Sequence, residues 1–211
     1  MEIVWLGHSS VRLQSKTVTL ITDPYADSLG FSMGNPTADI VIISNDHPHH
    51  SNSDAIGGSP RILRGPGEYE IADFYIKGTG TPRWPTSVDR QVNTVFTMWA
   101  EGLSMCHLGD LNQALSSKQV ENLRQIDVLF VPAGGTCTLG PADVGKLVNL
   151  IAPRLVIPLH YAADGVEVDL EPLDPFLAEL GVSNVVHQAK LVITSANVPQ
   201  EQRVVILQRT A

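Results

Sequence analysis

The order in which short strands and helices follow one another constrains the fold of this chain more than any other feature. The first half contains short runs rich in Val, Ile, Thr and aromatic residues, broken by Gly and Pro, which is typical of strands. The second half alternates such runs with segments that carry helix start and stop signals. Strands followed by β-α alternation predict an α/β fold in which mixed sheets are covered by helices.

The predicted elements can be placed along the whole chain. Strands are predicted at Glu2–Leu6, Val11–Gln14, Val18–Thr22, Ile40–Ser44, Arg61–Leu63, Tyr69–Ile71, Phe74–Lys77, Thr94–Trp99, Ser104–Leu108, Asp127–Pro132, Arg154–Leu159, Lys190–Thr194 and Val204–Gln208. Helices are predicted at Ser117–Gln125, Pro141–Ile151 and Pro175–Leu180. Ser116 and Gln119 form a predicted capping box at the start of the first helix, and Gly181 ends the third.

The composition fits one globular domain, and we expect residues 1–211 to form it. The 43% of hydrophobic residues can build a core, and the net charge of −8 disfavours nucleic acid, whose binding requires clustered Lys and Arg. The chain lacks the run of about 20 apolar residues that a membrane span needs, and its N-terminus has no signal-peptide pattern. Two cysteines give no disulfide framework, so we expect a cytoplasmic protein; its oligomeric state stays open.

Metal-binding side chains follow several of the predicted strands. Three of the seven histidines lie in the segment NDHPHH after one strand, an aspartate in HLGD follows another, and a histidine in PLHY ends a third. The carboxyl ends of strands in one layer can converge on a single crevice, and imidazole and carboxylate groups suit zinc. The sequence therefore predicts a shared metal site formed by His47, His49, His50, Asp110 and His160.

Each of these residues also has a structural interpretation. A single histidine at a strand end, such as His160, is usually a hydrogen-bonded structural residue, and Asp110 after a glycine can be a turn residue or a helix cap. His107 lies inside a predicted strand, which favours a structural role, and His187 is predicted to pack or to lie at the surface.

Several motifs, taken in order, resemble those of the metallo-β-lactamase fold superfamily, and more narrowly its short zinc-dependent hydrolases akin to ascorbate-phosphate lactonases. The segments are WLGHSS, TDPY, GPGEYEI, HLGDL, DVLFVPAGG and IPLHY, which together extend over almost the whole chain. The resemblance implies an αββα sandwich of two mixed β-sheets flanked by helices, with the site along one edge of the sheets. It also implies that His8 and Asp23 orient the metal ligands, although His8 can equally be a turn residue.

The chain departs from the family's first motif, His-x-His-x-Asp-His, in a way that affects the two metal positions unequally. Asn45 stands at the first histidine, His49 at the aspartate, and Arg83 is the best match to a further histidine after the central hairpin. A guanidinium group cannot ligate a cation, so we expect one metal position to be empty. The resemblance implies that the other is formed by His49, His50, Asp110 and His160. We expect one zinc ion or fewer per chain, with manganese or iron as alternatives.

The predicted catalytic residues are Asp110, His49 and Arg83. If His49 stays off the metal, it can act as a general base near neutral pH. Arg83 can bind a phosphate or carboxylate or stabilise an oxyanion, or it can form a surface salt bridge. These roles predict a hydrolase of a small anionic ester, lactone or phosphodiester. The alternative is a degenerate family member that binds a ligand or partner without hydrolysis.

Overall fold

The computed structural model describes residues 1–82, 92–183 and 186–210. Its strands are β1 (Glu2–Gly7), β2 (Ser10–Gln14), β3 (Thr19–Thr22), β4 (Ile40–Ile43), β5 (Arg61–Arg64), β6 (Gly67–Ile71), β7 (Phe74–Pro82), β8 (Val92–Ala100), β9 (Leu103–His107), β10 (Val128–Pro132), β11 (Leu155–Leu159), β12 (His187–Gln188), β13 (Leu191–Val192), β14 (Arg203–Val204) and β15 (Ile206–Leu207). Its α-helices are α1 (Pro48–Ser51), α2 (Ser117–Asn122), α3 (Pro141–Ile151) and α4 (Asp174–Glu179), and short 3₁₀ turns lie at Asp27–Leu29 and Ser53–Ala55.

Two mixed sheets and a small strand pair make up the β-structure. The six-stranded sheet has the order β13-β1-β2-β3-β4-β5, and the seven-stranded sheet has the order β14-β11-β10-β9-β8-β7-β6. Each sheet has an antiparallel and a parallel part, and the parallel parts are β3-β4-β5 and β9-β10-β11-β14. The expected fold of two mixed sheets flanked by helices is confirmed. None of the helices in the described ranges has the length and apolarity to span a membrane.

Strand β4 is covered on both faces, which accounts for its uninterrupted apolar sequence. Ile40 and Ile42 belong to the main core, which contains residues of both sheets. Val41 and Ile43 point the other way, into a second apolar cluster that includes Tyr25. The strand that precedes the histidine-rich segment is therefore fixed from two sides.

The structure agrees with the predicted order of elements and differs at some boundaries. The capping box is confirmed, because Ser116 Oγ accepts from the Gln119 N–H at 3.3 Å and Gln119 Oε1 accepts from the Ser116 N–H at 2.9 Å. Helix α2 is shorter than predicted, and β7 is longer because its glycines do not interrupt pairing with β8. The short helix α1 was not predicted.

The two-sided burial of β4 makes a testable prediction about stability. Ile42→Ala and Ile43→Ala should each lower the free energy of unfolding by about 2–5 kcal/mol, because both side chains are buried and each truncation leaves a cavity. Ile62→Ala on the neighbouring strand, where the side chain is 44% exposed, should cost less than about 1 kcal/mol. Urea unfolding followed by circular dichroism measures all three. An Ile43 variant as stable as the Ile62 variant would contradict this packing.

Candidate metal centre

The candidate site lies where strand ends of the two sheets meet. After β4, the Ser44 carbonyl accepts a hydrogen bond from the Thr94 N–H of β8 at 2.8 Å. After β11, the His160 N–H donates to the His8 carbonyl, which follows β1, at 3.0 Å. These bonds join the sheets along one edge, so the side chains that follow β1, β4, β9 and β11 converge there.

Three buried histidines form the centre of the site. His8, His50 and His160 are each 2% exposed, and each offers a ligand atom within 4.8 Å of the others. The ring centroids of His8 and His160 are 4.1 Å apart, and that of His50 lies 5.1 Å from His8 and 5.5 Å from His160. Tetrahedral zinc with nitrogen ligands at about 2.0–2.1 Å separates them by about 3.3 Å. Three imidazole nitrogens this close to one another could hold one such cation.

Asp110 adds a carboxylate to this cluster. Its Oδ2 lies 3.9 Å from His50 Nε2 and its Oδ1 lies 3.8 Å from His160 Nε2. The Asp110 N–H donates to the Asn93 side chain at 2.9 Å. Gly109 has a φ of +62°, and a Cβ there would lie 2.5 Å from both Asn93 Oδ1 and Ser44 Cβ. The glycine thus permits the close approach that brings Asp110 beside the histidines.

Asp23 orients His50 from the opposite side. Its fully buried carboxylate accepts hydrogen bonds from the Ser44 N–H and hydroxyl, at 2.7 and 2.6 Å, and from His50 Nδ1 at 3.0 Å. Burial alone would raise the pKa of Asp23, but the bonds from His50 and Ser44 and the charge of His107 outweigh it and lower that pKa. With its proton on Nδ1, His50 presents the lone pair of Nε2 towards Asp110.

Burial keeps two of these imidazoles neutral, which leaves their nitrogens available to a cation. Burial lowers the pKa of His160 to about 4. It also lowers the pKa of His8 well below its usual value, and the nearby His160 and His50 lower the His8 pKa further. Within the described part of the chain, Nδ1 of His8 and Nδ1 of His160 have no hydrogen-bond partner. Burying such a nitrogen without a partner costs free energy, and a bound cation would remove that cost. The residues present therefore fit a metal ion.

The remaining residues of the histidine-rich segment shape the loop. His47 is exposed and caps α1, accepting from the His49 N–H through Nδ1 at 3.2 Å. His49 is half-buried, and its Nε2 lies 3.1 Å from the Ser28 hydroxyl. The Asn45 amide donates to Ser44 Oγ at 3.1 Å and accepts from the His47 N–H at 3.0 Å.

The structure therefore brings together three of the predicted ligands, namely His50, Asp110 and His160. His47 and His49 lie at the outer side of the cluster, and Arg83 lies outside the described residues. His8 joins the cluster directly, whereas the sequence predicted only an orienting or turn role for it. The available signal was its position directly after β1, at the same kind of strand end as the other ligands.

Two other histidines stand apart from the cluster. The His107 ring donates from Nε2 to the Ser9 carbonyl at 2.9 Å and accepts from the Gly109 N–H at 3.1 Å through Nδ1. These two bonds occupy both ring nitrogens, which agrees with its predicted structural role. His187 is exposed at the start of β12.

Comparisons with known proteins place these residues in a family context. A family model described as "Beta-lactamase superfamily domain" matches residues 2–160. One solved structure is that of a Thermotoga maritima protein classed among the Zn-dependent hydrolases of the metallo-β-lactamase superfamily. It is 33% identical to this chain with a TM-score of 0.79, and the match covers 98% of this chain and 97% of the Thermotoga chain. A UPF0173 metal-dependent hydrolase of Methanopyrus kandleri is 26% identical over 86% of this chain and 94% of its own. A UPF0173 protein of Pyrococcus abyssi is 28% identical, in an alignment that covers 78% of this chain and 85% of the Pyrococcus protein.

The Asn93 side chain makes a testable contribution to the position of Asp110. It is fully buried, donates to Thr81 Oγ1 and to the Leu108 carbonyl at 3.0 Å each, and accepts from the Asp110 N–H. Asn93→Ala should lower the free energy of unfolding by about 2–4 kcal/mol, because it leaves buried backbone groups unsatisfied. Asn122→Ala, which changes an exposed asparagine, is the matched control. Equal urea unfolding midpoints for the two variants would contradict this role.

The neutral histidines predict how stability depends on pH in the metal-free protein. Burial lowers the folded-state pKa of His107 and of His160, so only the unfolded chain takes up their protons near pH 6.5. Their stabilising contribution is therefore full above about pH 6.5 and is lost as the pH falls, by up to about 1.4 kcal/mol per pH unit for each histidine. Urea unfolding between about pH 7 and 5 should show this decline. His160→Gln should make it shallower, and the exposed control His187→Gln should leave it unchanged.

Proposed function

The chain belongs to the metallo-β-lactamase superfamily, and on that footing we propose that it is a metal-dependent hydrolase that uses one metal ion. The observation that carries the proposal is the buried cluster of His8, His50 and His160 beside the Asp110 carboxylate. Several relatives bear the name metal-dependent hydrolase, which agrees with this assignment.

We assign the metal to His50, Asp110 and His160, with His8 as the neighbouring imidazole that can complete the set. Zinc is the proposed ion because imidazole and carboxylate ligands suit it, and manganese or iron accept the same ligand types. When bound, such an ion lowers the pKa of its water and polarises a carbonyl or phosphoryl oxygen of the substrate.

The other residues of the site orient its ligands and move a proton. Asp23 accepts the Nδ1 proton of His50 and thereby fixes the ring with Nε2 towards the cluster. His49 is the proposed general base, because it is half-buried and its pKa is lowered by burial and by His50, which keeps the ring neutral near pH 7. The Ser28 hydroxyl holds its ring.

We propose a small anionic ester, lactone or phosphodiester as the substrate. The basis is Arg83, which the sequence aligns with a lost metal ligand and whose guanidinium group can bind a carboxylate or phosphate. The narrower resemblance to ascorbate-phosphate lactonases stays a prediction.

A second candidate function is ligand binding without hydrolysis. It is favoured by the first part of the histidine-rich segment, where Asn45, His47 and His49 make hydrogen bonds that define the loop. If these residues only stabilise the loop, His49 does not act as a general base, and the cluster then lacks a proton acceptor as well as one metal position.

Metal content and hydrolysis test the two candidates together. Elemental analysis of zinc-replete protein should give about one metal or fewer per chain, and His160→Ala should weaken metal affinity at least about tenfold because it removes a ligand. His187→Ala, at an exposed position, is the control. Hydrolysis of bis(p-nitrophenyl) phosphate and of p-nitrophenyl esters should require the metal. Two tightly held metals per chain would contradict the single-metal assignment, and bound metal without turnover would favour the binding function.

A further inference from the structure

A second group of ligand atoms adjoins the histidine cluster. Cys137 Sγ, a carboxylate oxygen of Asp110 and a ring nitrogen of His160 all lie within 4.8 Å of one another. Asp110 and His160 are buried, whereas Cys137 is exposed, so the thiol lies on the solvent side of the buried pair.

The loop that carries Cys137 is held against both of its neighbours. A Cβ at Gly134 would lie only 2.4 Å from the His160 carbonyl oxygen, so a glycine there lets the loop approach His160 closely. The Gly134 carbonyl accepts from the Glu171 N–H at 2.7 Å, which fixes that approach. At the other end of the loop, the Leu139 N–H donates to the Leu111 carbonyl at 2.9 Å, beside Asp110. The position of the thiol follows from these backbone contacts.

His160 supplies an independent indication that a ligand belongs here. Its ring is 2% exposed, its Nε2 lies 3.8 Å from Asp110 Oδ1, and within the described residues no hydrogen bond to Nδ1 commits the ring to another role. The same ring belongs to the three-histidine group and to the group with Cys137. A neutral imidazole has one available lone pair and can give it to only one cation. The group with His8 and His50 and the group with Asp110 and Cys137 therefore share one metal position beside His160.

The set that contains sulfur differs from the others in its ligand types. A divalent cation held by neutral imidazoles and the Asp110 carboxylate keeps a net charge of about +1 among its direct ligands, and the Asp23 carboxylate, 3.0 Å from His50 Nδ1, lowers the cost of that charge. A thiolate at Cys137 would add a second negatively charged direct ligand. Thiolate is also a soft ligand, which strengthens binding of zinc, cobalt and cadmium more than binding of manganese or magnesium.

We propose that Cys137 is a direct ligand of the metal ion held by Asp110 and His160, and that it selects soft and borderline cations. The inference rests on the proposed function, since it concerns the same metal. On binding, the sulfur–hydrogen bond is replaced by a sulfur–metal bond and the proton passes to solvent; nothing is oxidised or reduced.

Cobalt substitution tests this directly, because thiolate ligation gives Co²⁺ an intense near-ultraviolet charge-transfer absorption that nitrogen and oxygen ligands do not give. Wild-type protein titrated with Co²⁺ should develop this band up to one equivalent. Cys137→Ser should bind Co²⁺ at least about tenfold more weakly and without the band, while its Mn²⁺ affinity should change less than about threefold. Cys106, a fully buried thiol in β9, is the internal control that remains in the variant.

The outcomes separate this inference from the proposed function. One equivalent of bound Co²⁺ without the band, or a band that persists in Cys137→Ser, overturns the role of Cys137 and leaves a metal site of nitrogen and oxygen ligands. Failure of wild type to bind Co²⁺ or Zn²⁺ overturns both. Alkylation by iodoacetamide gives a second measurement: Zn²⁺ should slow modification of Cys137 at least about tenfold in wild type and have no such effect in His160→Ala. Equal rates with and without Zn²⁺ in wild type would contradict ligation.

Discussion

The hydrogen bond from the His160 N–H to the His8 carbonyl is the contact on which the candidate site depends, because it joins the end of β11 to the end of β1. The Trp5 indole donates to the same carbonyl at 2.9 Å, so this oxygen ties together the turn, the first strand and the second sheet. Both histidines have left-handed backbones, with φ of 49° and 53°, which costs a non-glycine residue about 1 kcal/mol or more. The surrounding contacts maintain this backbone conformation, in which the ring centroids of His8 and His160 lie 4.1 Å apart.

Most of the fold could be predicted from the sequence because its strands are short, apolar and separated by Gly and Pro. The runs that became β4, β10 and β11 are apolar throughout because each is buried. Local patterns could not predict α1, which is a single turn started by Pro48, or the two-residue strand β12, which exists only because it pairs with β15. Such elements depend on contacts between distant segments.

The proximity of His50, Asp110 and His160 could be predicted because each of them comes after a strand. Adjacent residues on a helix point about 100° apart, and in α1 His50 is buried in the cluster whereas His49 is half-buried at its outer side. Sequence alone does not reveal which of the two faces inwards. His8 and Cys137 escaped prediction as ligands because their nearness to His160 depends on a backbone bond and a glycine contact across the fold.

The pairing of β1 with β13 matters for the nascent chain. Glu2 and Ile3 pair with Val192 and Leu191, so the outer edge of the first strand stays open until β13 has left the ribosome. An unpaired edge is a template for pairing with other chains, which makes the late arrival of β13 a period of exposure to aggregation. His160 also emerges late, so the histidines translated early cannot take up their native arrangement during most of synthesis. The native arrangement of His8, His50 and His160 can therefore form only after His160 has been translated.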